Sequence, residues 1–142
     1  EISSGTKLGC RSTLFSNDGT TLFAGSTTGS LCALDTQQAC SFQADEKSIR
    51  WRLPEAHPSS ALHSMFQLPD DSPTGPSVLA TGDEDGLIQL WDTRLCGISN
   101  SNSNNNNKKK KKPCILSWDQ NTDYISGFDY HDGVLLASSA DC

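Results

Sequence analysis

Val78-Leu79-Ala80-Thr81-Gly82-Asp83-Glu84-Asp85-Gly86-Leu87-Ile88-Gln89-Leu90-Trp91-Asp92-Thr93-Arg94 decides how this chain reads. Two apolar runs, Val78 to Ala80 and Leu87 to Trp91, flank small and acidic residues that include Asp85-Gly86. Asp-Gly between such runs signals a tight hairpin, because Gly accepts a positive φ and Asp bonds its own backbone. In the second run Ile88, Leu90 and Asp92 fall on one face and Leu87, Gln89 and Trp91 on the other. The run closes on Trp91-Asp92.

The same pattern recurs on both sides. Upstream, Cys10 to Ser16 reads as a strand, Asn17-Asp18-Gly19 as a turn and Thr21 to Ser26 as a second strand. Thr27-Thr28-Gly29 then turns into Ser30 to Asp35. Laid on the opening stretch, Leu34-Asp35 takes the place of Trp91-Asp92, and Ala24-Gly25-Ser26 that of Thr81-Gly82-Asp83. Ser48 to Leu53 alternates as an outer strand, and Ala61 to Leu68 supplies another strand before Val78. Downstream, Cys114 to Trp118, Tyr124 to Tyr130 and Val134 to Ser139 are strands, with His131-Asp132-Gly133 a turn like Asn17-Asp18-Gly19. Residues 97–112 break the pattern with Ser/Asn alternation, Asn104 to Asn107 and Lys108 to Lys112. A stretch so poor in apolar residues reads as a disordered insertion.

The composition fits many short strands in one polar, foldable domain: 142 residues, 35% hydrophobic and 20% charged. Net charge is −6, but five of the 11 basic residues lie in Lys108–Lys112. The remainder sets six basic residues against 17 acidic ones, which argues against direct nucleic-acid binding. Six cysteines (Cys10, Cys32, Cys40, Cys96, Cys114, Cys142) include no C-x-x-C and no zinc-ligand spacing. They read as reduced, small apolar residues rather than a disulfide framework. No apolar run approaches the ~20 residues of a membrane span. The chain starts without Met and stops inside a hairpin, so it reads as a piece of a longer protein.

The repeat of strand, Asp-Gly-type turn, strand, tight turn, strand ending in Trp-Asp and outer strand resembles the WD-repeat β-propeller family. Within it, the chain is similar to the WD repeat-containing protein 55 group and its fungal nucleolar relative. That likeness rests on Cys10-Arg11-Ser12 through Asp18-Gly19, Val78 to Asp83, Leu90 to Arg94 and Asp123-Tyr124-Ile125-Ser126. The fold expected is all-β, a partial propeller of about two and a half four-stranded blades. Residues 9–53 form a degenerate blade, 54–118 a complete one carrying the insertion, and 119–142 a truncated one. An open ring of this kind exposes a strand edge and half a core, so isolated stability is not expected.

The resemblance implies a hydrogen-bonded set inside the complete blade: His57, Thr81, Asp85 and Trp91. A buried indole N–H needs a partner, and hydroxyl, imidazole and carboxylate in series satisfy one another. A Ser/His/Asp-like relay is the catalytic alternative, but groups enclosed in a blade meet no substrate. The first blade lacks the set, with Ala24, Thr28 and Leu34 in its places, and Asn121 stands where the third blade's histidine would be. Leu79 to Arg94 also fits the box by which WD-repeat proteins dock on damaged-DNA-binding protein 1, adaptor of cullin-4 ubiquitin ligases. There Asp92 and Arg94 are the docking candidates, the arginine fork suiting a partner carboxylate. Lys108, Lys109, Lys110, Lys111 and Lys112 are a candidate nuclear address, against low-complexity expansion.

No nucleophile–base elbow, phosphate loop or metal cluster appears, so no catalytic, cofactor or metal residue is expected. The reading is a non-enzymatic scaffold whose partners are proteins, without membrane or small-molecule substrate. The protein 55 likeness implies pre-ribosomal factors as partners, a nuclear and nucleolar location and a role in ribosomal RNA processing. The alternative is a cullin-4 substrate receptor, or a cytoplasmic adaptor.

Overall fold

The alternating stretches become ten strands in a computed structural model that describes residues 9–39, 46–72, 75, 77–97 and 113–141. The first sheet is an antiparallel meander of β1 (Cys10–Phe15), β2 (Thr21–Ser26), β3 (Leu31–Asp35) and β4 (Ile49–Leu53). The second repeats it with β5 (Leu62–Gln67), β6 (Val78–Asp83), β7 (Ile88–Asp92) and β8 (Cys114–Trp118). The third sheet is the hairpin of β9 (Ile125–His131) and β10 (Val134–Ser139). One-turn helices α1 (Thr36–Ala39) and α2 (Thr93–Cys96) follow β3 and β7.

The sheets are copies of one another down to their irregularities. Leu22 pairs with Leu34 as Leu79 pairs with Trp91, and Gly25 with Leu31 as Gly82 with Ile88. Bulges between Cys10 and Ser12 in β1 and between Leu62 and Ser64 in β5 fall at the same place, and β9 skips Ser126 likewise. β7 begins at Ile88 rather than Leu87, because Leu87 closes the turn: its amide bonds the Asp83 side chain and its carbonyl the Asp83 N–H.

The sheets stack face to face, and burial follows position in the stack. β2 alternates buried and half-buried, whereas all six residues of β6 are buried, because sheet two is covered on both sides. The main core lies between the first two sheets: Phe23, Leu31, Ala33 and Trp51 pack with Leu62, Leu79, Trp91 and Cys96. Burying a side chain of this size stabilises by roughly 1.5–3 kcal/mol. Two glycines allow the approach. A Cβ at Gly25 would lie 2.8 Å from the Leu62 Cβ, and one at Gly82 would lie 2.5 Å from that of Ile125. The free faces of β8 and β10 leave Leu116, Trp118, Val134 and Leu136 exposed.

Gly29 fixes the loop that follows sheet one. It sits at φ +81°, its carbonyl accepts from the His57 amide at 2.9 Å, and a Cβ there would overlap the His57 carbonyl oxygen. Gly19, at φ +72°, has open space around it. Gly19→Ala is therefore expected to cost only the left-handed strain, about 1–2 kcal/mol. Gly29→Ala adds the collision, for about 3 kcal/mol or more. Urea melts of the two variants check the difference.

Candidate functional site

The loop at residues 54–61 delivers His57 into the body of the second sheet. His57 is buried completely, with Thr81 and Asp83 around it. Its Nδ1 lies 2.8 Å from Asp83 Oδ2 and its Nε2 lies 2.6 Å from Thr81 Oγ1. Trp91 Nε1 donates to the same hydroxyl at 2.8 Å. Cross-strand pairing puts them together. Leu79 opposes Trp91 and Thr81 opposes Gln89, so period two places Leu79, Thr81 and Asp83 on the Trp91 face.

This corrects one member of the expected set. The carboxylate on His57 belongs to Asp83, not Asp85. Asp85 lies in the exposed turn, and its own amide donates to Asp83 Oδ1 at 3.0 Å. The alternation itself carries the signal: counting in twos from Thr81 arrives at Asp83, whereas the family resemblance points to the turn aspartate two residues on. One oxygen of Asp83 closes the turn through the amides of Asp85 and Leu87, and the other holds the imidazole.

An ionised carboxylate only accepts, so His57 carries a hydrogen on Nδ1 and donates to Asp83. Nε2 lies against Thr81 Oγ1, which accepts from Trp91 and whose own hydrogen reaches toward the Gln89 carbonyl at 3.4 Å. Burial disfavours the charge on Asp83, but the hydrogen bond from His57, the Leu87 amide, the electrostatic pull of His57 and the Asp85 amide more than offset this, and its pKa lies below the usual 3.8. The order hydroxyl, imidazole, carboxylate is that of a nucleophilic relay. Here all three are buried, and the hydroxyl oxygen is engaged by an indole. The arrangement is a clamp between loop, turn and strand.

The other sheets hold no second copy among the described residues. In sheet one Ser26 closes the turn, its Oγ accepting from Thr28 and Ser30, but a hydroxyl has no second oxygen for a histidine. In sheet three Ala137 and Ser139 stand where Thr81 and Asp83 stand in sheet two. Asn121 packs on Gly86, its Nδ2 donating to the Gly86 carbonyl at 3.3 Å, as His57 packs on Gly29.

Asp92 and Arg94 are joined to each other. Arg94 Nε and Nη2 donate to the two Asp92 oxygens at 2.9 and 2.7 Å, with the arginine side chain 69% exposed. Asp92 also caps α2 by accepting from the Arg94 amide. The fork expected to await a partner is thus occupied within the chain. The Asp92 contact pushes the Arg94 pKa further up. Lys108 to Lys112, with the rest of the insertion beyond Gly97, lie outside the described residues. Cys10, Cys32 and Cys96 are free thiols, and burial first, then Asp92 and Cys114, pushes Cys96 up to about 12. Cys40 and Cys142 lie outside the described residues. No group of three metal-ligating side chains forms among the described residues, and none of their helices is long and apolar enough to cross a membrane.

No protein-family model matches the chain. The WD repeat-containing protein JIP5 of Mycosarcoma maydis is 30% identical over 125 residues, which is 87% of this chain and 20% of that protein. Among solved structures, the WD40 repeats of RRP9 superpose with a TM-score of 0.65 at 20% identity, over 96% of this chain and 34% of that one. U3-55K gives 0.65 at 19%, over 96% and 35%. Sqt1 of Chaetomium thermophilum, bound to the N-terminus of ribosomal protein L10, gives 0.61 at 21%, over 92% and 32%. At these identities the structural likeness is one of fold. The chain spans about a fifth of the curated relative.

Two outcomes follow from the clamp. Asp83→Ala strands a buried imidazole N–H and two amides, for a loss of about 3 kcal/mol or more, while Asp85→Ala stays within about 0.5 kcal/mol. Thermal melts of both separate Asp83 from Asp85 as the clamp carboxylate. Because folding lowers the Asp83 pKa, its stabilisation is complete above the unfolded value near 3.8 and is lost as pH falls through the lower folded value. Urea midpoints between pH 7 and pH 2 should fall at the acid end for the wild type, and less for Asp83→Asn.

Proposed function

We propose that this chain, a run of WD-repeat β-propeller blades, acts as a non-catalytic scaffold that binds proteins, and that it does so in ribosome biogenesis. The observation that carries the first part is the closed state of the relay. The one hydroxyl–imidazole–carboxylate series among the described residues is walled in and fully hydrogen-bonded, so its chemistry is spent on holding the blade. What remains for partners is surface: turns, strand edges and the rim that carries Asp92 and Arg94.

The second part is supported by likeness. The stretches Val78 to Asp83, Leu90 to Arg94 and Asp123 to Ser126 resemble the protein 55 group, which implies a nucleolar role in ribosomal RNA processing. Sqt1, a neighbour in fold, is described in complex with the N-terminus of a ribosomal protein. The lysine run suits a nuclear address, and the acidic balance of the rest of the chain suits basic protein segments better than RNA.

Affinity purification of the tagged full-length protein tests this reading. Recovery of pre-ribosomal particles is the expected result. Recovery of the cullin-4 adaptor instead, abolished by Arg94→Ala, would replace it with the ligase-receptor reading; Arg94 would then have to leave Asp92 to engage the partner. Deleting Lys108 to Lys112 from a fluorescent fusion is expected to weaken nuclear accumulation.

A further inference from the structure

At the seam of the first two sheets, on the side of the Asn17-Asp18-Gly19 turn, lies a cleft of about 360 Å³. Sheet one supplies one wall with Asp18, Arg50 and Trp51, and sheet two the other with Gln67, Asp70 and Arg94. The walls are tied together. The Asn17 amide donates to Gln67 Oε1 at 2.7 Å, and Asn17 Nδ2 donates to the Leu68 carbonyl at 3.0 Å. These bonds anchor the turn of one blade to the end of β5 in the next. The deep end of the cleft is aromatic: Phe23 and Trp51 both line it and are buried, their rings 6.0 Å apart.

Charge decides what the cleft takes. Its two arginines are already matched by aspartates. Arg50 Nη2 donates to Asp35 at 2.9 Å and Nη1 to Thr21 Oγ1 at 2.7 Å, while Arg94 is held by Asp92. Neither carboxylate on the walls, Asp18 or Asp70, forms an ion pair among the described residues. Neutral donors hold Asp18: Oδ1 accepts from the Ser16 hydroxyl at 2.6 Å and the Thr20 amide at 3.0 Å. Its Oδ2 has a share in the Thr20 hydroxyl hydrogen, at 3.1 Å, and room for another donor. These bonds, Ser16 foremost and the charge of Arg50 last, hold the Asp18 pKa below the usual 3.8. Asp70 is exposed and makes no hydrogen bond among the described residues. Two unmatched acids beside an aromatic wall suit a cation that is flat, rich in donors and able to stack, which describes a guanidinium.

We infer that this cleft binds an arginine side chain from a basic segment of a protein partner, its guanidinium donating to Asp18 Oδ2 and Asp70 and its stem lying toward Phe23 and Trp51. The inference rests on the reading that the partners are basic protein segments, and gives that reading a place on the molecule. The cleft belongs to two sheets that are both four-stranded in this chain, so its walls need no further blade.

The test uses the full-length protein and a fluorescein-labelled peptide of alternating arginine and glycine, followed by anisotropy. Asp70→Asn is expected to weaken binding about threefold or more, and Asp18→Asn combined with Asp70→Asn about tenfold or more. Asp132→Asn, in the matching turn of sheet three, is expected to leave binding unchanged. Because Asp70 makes no bond in the fold, its single variant should keep the wild-type Tm, which separates lost affinity from lost structure. In NMR the Trp51 ring should shift on peptide addition while that of Trp118 stays. Unchanged affinity in the double variant, or a shift confined to Trp118, overturns the inference. So does equal binding of a glutamine–glycine peptide, tighter binding of a glutamate–glycine one, or binding seen only after deletion of Lys108 to Lys112. Recovery of pre-ribosomal particles is a separate readout: failure of the cleft leaves that reading standing, and failure of that reading leaves the peptide affinities as they were measured.

Discussion

Asp83 carries a negative charge into a place from which water is excluded, and three separate pieces of chain meet on it. Its two oxygens serve different masters. One ties the Asp85 and Leu87 amides and so sets the turn between β6 and β7; the other holds His57, which belongs to the loop after β4. Through the imidazole, the carboxylate also reaches Thr81 and Trp91. An isolated buried carboxylate would cost several kcal/mol, so this position is tenable because every lone pair facing inward has a donor. Remove a donor and the penalty returns; that is why the loop, the turn, β6 and β7 of this blade are held as one unit.

The clamp belongs to one blade, whereas stacking belongs to all of them. Leu62 over Gly25 and Ile125 over Gly82 are contacts in which a missing Cβ on one sheet is the space for a whole side chain of the next. Such contacts fix register strongly, since a one-residue slip would turn the glycine away and present a side chain instead. Sheet one, with serine in place of the carboxylate, relies on this packing and on its own turn bonds. Sheet three leaves Val134 and Leu136 exposed.

Much of this was legible in the residues. Period-two alternation and the Asp-Gly turns locate most strands to within about one residue, though β6 runs to Asp83, three residues past the apolar run that ends at Ala80, and Trp91-Asp92 marks the blade. His57, Thr81 and Trp91 were legible as a set because a buried indole and imidazole must be partnered. The family resemblance points to the turn aspartate, whereas strand parity, which aims a side chain, selects Asp83. The resemblance offers Asp92 and Arg94 together to a partner, but a capping residue two positions before an arginine is well placed to capture it.

One blade in this stack of interlocking sheets is held by a closed relay. Its central element is the His57 Nδ1–H held by Asp83, with Nε2 against the Thr81 hydroxyl. Nitrogen-15 NMR of the histidine rings tests that directly near neutral pH. The account predicts, for His57, a slowly exchanging Nδ1–H, with the Trp91 indole N–H equally protected. A His57 ring without a hydrogen on Nδ1, or with a freely exchanging one, would contradict it.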